Sequence, residues 1–354
     1  MLAILKREIK NYVKQPLFWI GVGIVIFGVY SCVSPYLDIH YLEPGETIEN
    51  DYPETIHAGE IYEGYVPSTP AERQYFFEES IRELFTQIME MTPAEADAAI
   101  DEIKGMDIAE ACDYLEQQYR YVGAIYSYQM TAYKKGTADE INAYLAQALQ
   151  SKPFSYYFSR KFADFAGLFM GFFATVMLSV LFLQDTRKHT YELLHTKPVS
   201  AGNYVLGKIL GGFSVCLITL AILNLVFWAL CLICTSGSGF TVRLFDFIAA
   251  TCLYILPNML MIICIYTLIA LLFKNPLPGA PLLILLIVYS NIGSRNAEGI
   301  YGYYGRALAI MVRFPGQFFD ITAPPMAMLN QSFLIMASAL IAFISIWLWQ
   351  RRRM

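Results

Sequence analysis

Charge is scarce in this chain of 354 residues, of which 16% are Asp, Glu, Lys or Arg, against about 25% in an ordinary soluble domain. With 56% apolar residues and a mean hydropathy of +0.44, a typical soluble enzyme is excluded. Histidine is also rare: His40, His57, His189 and His195 are scattered, with no H-x-x-x-H pair. His40 and His57 lie among many carboxylates, where a solvated acidic surface is a better reading than a metal site. Neither H-E-x-x-H nor G-x-S-x-G occurs, nor do paired aspartates within apolar runs, which disfavours an intramembrane enzyme. Cysteine is missing where a disulfide framework would need it. Only Cys112 falls in the polar stretch 36–161, while Cys32, Cys216, Cys231, Cys234, Cys252 and Cys264 fall in apolar runs, so the polar stretch must be stable by packing alone. Cys231-x-x-Cys234 has no second pair and reads as packing. Ionisable groups are nearly absent from the apolar runs, where each costs at least about 2.5 kcal/mol at a bilayer centre. Asp164 and Asp246 are expected at span ends reached by water, and Asn224, Asn258 and Thr267 are neutral. This argues against a proton- or voltage-coupled carrier.

Long apolar runs are abundant. Segments of about 20 residues are long enough to cross a hydrocarbon core about 30 Å thick, and they recur at 16–35, 163–183, 205–234, 247–273, 276–292 and 328–349. The fold class expected is an all-α polytopic membrane protein with six spans. In the fifth span Pro276, Pro278, Gly279 and Pro281 crowd the start, which suits a broken or re-entrant helix. Residues 1–15 carry Leu2, Leu5, Ile9, Tyr12 and Val13 at helical spacing, with Lys6, Arg7, Lys10 and Lys14 off that stripe. They read as an interfacial amphipathic helix. No small-residue cleavage site follows, which disfavours a signal peptide.

The net charge of −5 conceals a division. Residues 36–161 hold 23 of the 30 acids and 9 of the 25 bases, a balance of −14 that leaves +9 elsewhere. The insert reads as a mostly helical acidic domain, with helices at about 70–91, 93–104, 107–135 and 138–151 after an irregular stretch, 36–69. Thr92-x-x-Glu95 and Thr137-x-x-Glu140 are capping-box starts. The remaining domain boundaries are 1–15 for the interfacial helix, 16–35 for the first span and 162–354 for the other spans. Lysine and arginine near the span ends place both termini in the cytoplasm and the acidic domain outside; the expected location of this multi-pass protein is a plasma membrane, that of a bacterial cell. The inner segments hold Lys6, Arg7, Lys10, Lys14, Arg187, Lys188, Lys197, Lys208, Lys274, Arg351, Arg352 and Arg353. Short outer loops hold only Arg243, Arg295, Arg306 and Arg313. Segment 293–320, glycine-rich and aromatic, reads as an outer re-entrant or interfacial piece.

Gly202 to Lys208 satisfies G-x-x-x-x-G-K, but Ile209 replaces the magnesium-binding Ser or Thr and the stretch leads into a span, so the match is coincidental. No cofactor is expected in this chain, and nothing points to nucleic acid. Gly167-x-x-x-Gly171 and Gly207-x-x-x-Gly211 permit close helix packing. The most informative piece is the loop 184–204, which contains Asp185, Arg187, Glu192, Leu193, Leu194 and His195. It is a short charged helix ended by Pro198 and followed by a Ser200 cap, too small for catalysis but able to present a knob to a partner.

That loop resembles the one between the second and third spans of ABC-2 type transporter permeases, a D-R-E-x-G-T-L-E-x-L-L-x-T-P-V-S-R stretch followed by Y-x-x-G-K. Asp185, Arg187, Thr190, Tyr191, Glu192, Leu193, Leu194, Thr196, Pro198, Val199, Ser200, Tyr204, Gly207 and Lys208 stand in the pattern. His189 replaces the usual glycine, Ala201 the usual arginine, and Lys197 is interposed. The interfacial helix, six spans and large outer insertion are similar to those of sodium-efflux and peptide- or antibiotic-export permeases. The resemblance implies a non-enzymatic permease subunit, dimeric with itself or a related copy, in a lipid membrane. It would be docked on a cytoplasmic ATP-binding subunit that carries ATP and Mg. Residues 185–198 would be the coupling helix and 2–15 the connecting helix. Neutral, aromatic spans favour an amphipathic or hydrophobic cargo such as a peptide, antibiotic or lipid. A cation is the rival, and a membrane-anchored sensor or immunity protein is the alternative outside transport.

Overall fold

The computed structural model describes residues 2–43, 46, 48, 53–56, 64–186, 200–295, 301–302 and 305–351. The chain forms two compact units. One comprises Met1–Ile39, Lys152–Phe314 and Ile321–Met354, the other His40–Ser151 and Pro315–Asp320.

The first unit is helical. Helix α1 (Leu2–Val13) leaves Lys6, Arg7 and Lys10 exposed. Helix α2 (Pro16–Val33), with proline at its start where a missing N–H is harmless, buries Phe18, Val22, Val25, Val29 and Val33 along one stripe. That stripe faces α8 (Phe154–Thr186), and the approach is close: a Cβ at Gly21 would stand 2.7 Å from Phe173, and one at Gly28 would collide with Phe169. The 33 residues of α8 make a rod of about 50 Å, which packs against most other helices of the unit. After it come α9 (Ala201–Cys234), α10 (Leu244–Tyr254), α11 (Leu256–Phe273), α12 (Gly279–Asn291) and α13 (Ala327–Arg351). The elements α3 to α7 belong to the second unit.

Among the described residues five stretches are long and apolar enough to cross a membrane: Pro16–Leu37, Phe154–Ser179, Ala201–Cys234, Leu244–Phe273 and Ala327–Arg351. Helix α12, with 13 residues, is about 20 Å long and too short to cross alone. The expected uninterrupted helix 247–273 is broken at Ile255, because Pro257 lacks an N–H and its ring crowds the preceding turn. The side chain of Asn258 repairs the break by donating to the Tyr254 carbonyl at 2.6 Å, and Gln331 of α13 donates in turn to Asn258 Oδ1 at 3.1 Å.

The second unit begins later and ends earlier than the acidic segment 36–161, since residues from Phe154 onward are already helix α8. It contains α3 (Pro70–Gln87), α4 (Pro93–Ile103), α5 (Ile108–Tyr119), α6 (Ala124–Gln129) and α7 (Ala138–Ser151). Capping boxes at Thr69/Glu72 and Thr92/Glu95 start the first two, and Thr137 exchanges bonds with Glu140 in the same way. The expected helix 107–135 is overturned. It ends at Arg120, which adopts left-handed φ +57°, and the chain then makes only the short α6 before entering a strand. That strand, β3 (Tyr133–Lys135), is the centre of an antiparallel sheet between β1 (Thr55–Ile56) and β2 (Tyr65–Pro67). A two-stranded ladder, β4 (Ser294–Arg295) and β5 (Tyr301–Gly302), lies in the first unit. The second unit is thus mostly rather than wholly helical. Its core, with Phe77, Ile81, Phe85, Ile100 and Leu115, is free of disulfides. Burial pushes the Cys112 thiol up to about 11.

Lys134 of β3 holds the sheet to two helix starts, 2.7 Å from Glu72 and 2.8 Å from Glu140. Segment Pro315–Asp320 is secured by Tyr133 and Tyr144, whose hydroxyls both donate to Asp320 Oδ2.

Candidate coupling site

The amphipathic pattern of α1 leads one to expect an apolar inner face, yet Glu8 is on that face and 6% exposed. Lys208, on the second turn of α9 and 3% exposed, donates from Nζ to Glu8 Oε1 at 2.7 Å. A buried charge is tolerable only when it is paired, and here each resolves the other. The two helices meet closely because position 211 is glycine: a Cβ there would lie 2.9 Å from Glu8 Cβ. Four residues along α1, Tyr12 donates to the Met177 carbonyl of α8 at 3.1 Å. Tyr204, one turn before Lys208, stacks on Trp349 of α13 with ring centroids 4.0 Å apart. Ser200 caps α9 by accepting from Asn203 N at 3.3 Å. One end of the helical unit therefore ties α1, α8, α9 and α13 together at the residue where the 184–204 loop re-enters the helices.

Asp185 is in the last turn of α8. Arg187, Glu192, Leu193, Leu194 and His195 lie outside the described residues. Gly207 is buried in α9; a Cβ added at Gly211 would crowd Glu8, one at Gly171 would make ordinary contact with Ile287, and one at Gly167, itself buried, would meet nothing within 4 Å. The G-x-x-x-x-G-K stretch is helical throughout. His40 contacts Glu46 at 3.2 Å, and His57 lies outside the described residues.

Asp164 does not stand at a water-exposed span end. It is 3% exposed and is not reached by water as expected; it forms an ion pair with Arg313 and accepts from Phe314 N at 2.8 Å. Lys161, one turn earlier on α8 and 2% exposed, donates to the Phe314 carbonyl at 2.9 Å. Together they anchor the stretch 305–314, which is non-helical yet buried at Ala309, Ile310, Met311, Val312 and Phe314. Ser290 accepts from Ile310 N at 2.9 Å and Asn330 donates to the Ala309 carbonyl at 2.7 Å, so helices α8, α12 and α13 supply what a ladder would otherwise provide.

Neither Glu8 nor Lys161 stood out in the sequence. The available signal for Glu8 was that it is the sole acid in the first 35 residues and lies one helical turn before Tyr12.

The family model described as ABC-2 family transporter protein matches residues 2–305. No curated protein and no solved structure matches the chain.

Proposed function

The chain belongs to the ABC-2 transporter family, and from that premise we propose that it is the permease subunit of an ATP-driven exporter. It moves an amphipathic or hydrophobic substrate such as a peptide, antibiotic or lipid outward. ATP and Mg are held by a separate cytoplasmic subunit, and a second permease copy completes the pathway. Both termini lie in the cytoplasm and the acidic unit lies outside, with α12 and its neighbouring segment completing a sixth span.

The observation that carries this reading is the buried Glu8–Lys208 pair. Residues 185–198 act as the coupling helix, with Arg187 and Glu192 making polar contacts to the ATP-binding subunit and Leu193 and Leu194 its apolar anchor. Displacement of that loop reaches α9 through the Ser200 cap, and the ion pair with the Gly211 contact obliges α1 to move with it. Nucleotide-driven closure of the partner is thereby converted to tilting of the spans as rigid bodies.

Deleting 185–198, or substituting Glu192→Lys, is expected to abolish co-purification of the ATP-binding subunit or the stimulation of its hydrolysis by substrate in lipid. Normal co-purification and coupling in both variants would overturn the assignment. Failure of the unaltered chain to recover any ATP-binding subunit would favour the sensor reading.

A further inference from the structure

A cleft opens in the helical unit where α12 ends, the 305–313 stretch passes and α13 begins. Ser290, Arg306, Arg313 and Asn330 form its polar side, and Ile292 and Met326 stand on its apolar side. The space between the atoms is about 420 Å³, most of it open to solvent at the mouth, so a ligand would sit across the mouth and reach inward with a small polar group.

Three features define what would fit. The first is charge. Among the described residues no carboxylate lines the cleft. Arg313 is balanced by Asp164, whereas Arg306 has the Gly293 carbonyl at 2.7 Å and the Tyr289 ring at 5.3 Å, with no carboxylate partner among the described residues. The first turn of the 25-residue helix α13 lies in the same wall, and the dipole there has its positive end. The site is therefore electropositive, and a guanidinium favours an oxyanion.

The second feature is an unused acceptor. Asn330 is 3% exposed, and although its Nδ2 donates to the Ala309 carbonyl, its Oδ1 has no partner among the described residues. A buried acceptor left without a donor costs about 1–3 kcal/mol, so the ligand that suits the cleft brings an O–H or N–H. Ser290 is not available for this, since its hydroxyl already donates to the Leu286 carbonyl and accepts from Ile310 N. The third feature is the mouth. Ile292 is 49% exposed and Met326 37%, with Tyr289 and Leu329 also exposed beside them, a rim suited to a hydrocarbon tail.

We propose that this cleft binds an amphiphile whose headgroup joins a phosphate to a hydroxyl, with Arg306 engaging the phosphate, Asn330 Oδ1 accepting from the hydroxyl and the tail running past Ile292 and Met326. The site requires no transport for its occupancy and is independent of the exporter reading.

The test uses the full chain purified in neutral detergent, with binding followed by native mass spectrometry. The probes are phosphatidylglycerol, phosphatidylmethanol (the same charge without the hydroxyl), phosphatidylcholine and inorganic phosphate. Phosphatidylglycerol is expected to bind at least tenfold more tightly than phosphatidylcholine and several-fold more tightly than phosphatidylmethanol. Arg306→Gln should weaken it about tenfold, the loss of one charge-assisted hydrogen bond. Arg351→Gln, at the far end of α13, should leave it unchanged. Equal binding of the three lipids, or indifference to Arg306→Gln in a monodisperse variant, would overturn the site. Equal displacement by inorganic phosphate at the same concentration would overturn the role of the tail and leave a free-anion site. Should the variant not fold, the comparison of the two anionic lipids on the unaltered chain still decides the matter.

Discussion

The most discriminating perturbation is removal of the Glu8–Lys208 pair. The two groups stand 2.7 Å apart with side-chain exposures of 8% and 4%. At an effective dielectric near 20, unit charges at that separation attract by about 6 kcal/mol, most of which offsets the loss of hydration. What survives truncation is different: deleting one partner leaves an uncompensated buried charge and costs about 3–5 kcal/mol, whereas replacing both with apolar groups of similar volume is often neutral. Glu8→Met or Lys208→Met alone should therefore destabilise by about 3–5 kcal/mol, and the double substitution should recover most of the loss. Methionine is chosen because its unbranched stem preserves the close approach at Gly211, where branching would collide. Equilibrium unfolding in mixed micelles gives the coupling energy by double-mutant cycle, and substrate-stimulated ATP hydrolysis in lipid gives the functional cost. The double variant should be stable yet loosely coupled, because an apolar contact lets α1 slide where the ion pair fixes its register. Single substitutions costing below about 1 kcal/mol, the range of exposed pairs, or a double variant whose loss equals the sum of the singles, would refute the reasoning.

Asp164→Asn leaves the charges of Lys161 and Arg313 without their carboxylate. It should cost about 3–5 kcal/mol and expose 305–314 to protease; unchanged cleavage would show that the carboxylate is not the anchor. In the acidic unit, the hydrogen bond from Lys134, with further bonds from Thr69, holds the Glu72 carboxyl down at about 2, and Glu140 is lowered for the same first reason. A carboxyl depressed on folding contributes stability that is complete above the ordinary carboxylate range and is lost as pH falls toward 2. Acid unfolding monitored by near-UV circular dichroism should begin at higher pH in Lys134→Met, and coincident curves would exclude the pair as a contributor. Arg120 adopts φ +57° at the end of α5, so Arg120→Gly should stabilise by about 0.5–1 kcal/mol. A loss of stability in urea melts would mean that the side chain compensates for the backbone.

Much of the acidic unit could be read directly, because its helix starts are local signals. Thr92-x-x-Glu95 and Thr137-x-x-Glu140 both form their reciprocal bonds. The failure at 107–135 has an equally local cause of the opposite kind. Arg120 is an ordinary helix former that occupies a left-handed cap, a conformation its side chain does not advertise, and the Tyr133–Lys135 strand is three residues long, too short for a period of two to emerge. Hydropathy likewise runs unbroken through Ile255 and hides the interruption at Pro257. The family could be read from 185–208, although residues 187–199 lie outside those described.

The polar residues of the helical unit were harder to read for a reason that follows from the solvent. Glu8 and Lys208 are separated by 200 positions, and Asp164 and the Phe314 N–H by 150, so no spacing rule brings them together. Yet each lies where something other than a plain span must attach: an amphipathic helix at Glu8, a non-helical stretch at Asp164 and Lys161, a broken helix at Asn258. In an apolar scaffold an unmet backbone group costs several kcal/mol, and a tilted or extended segment leaves such groups at every junction. A side chain that satisfies them must itself be polar, and a charged one must have a countercharge buried with it. Rare acids near span ends are consequently better read as fasteners seeking a distant base than as groups exposed to water. This reasoning accounts for both Glu8 and Asp164, and it makes their partners, not their neighbours in sequence, the residues whose substitution should release the attached segment.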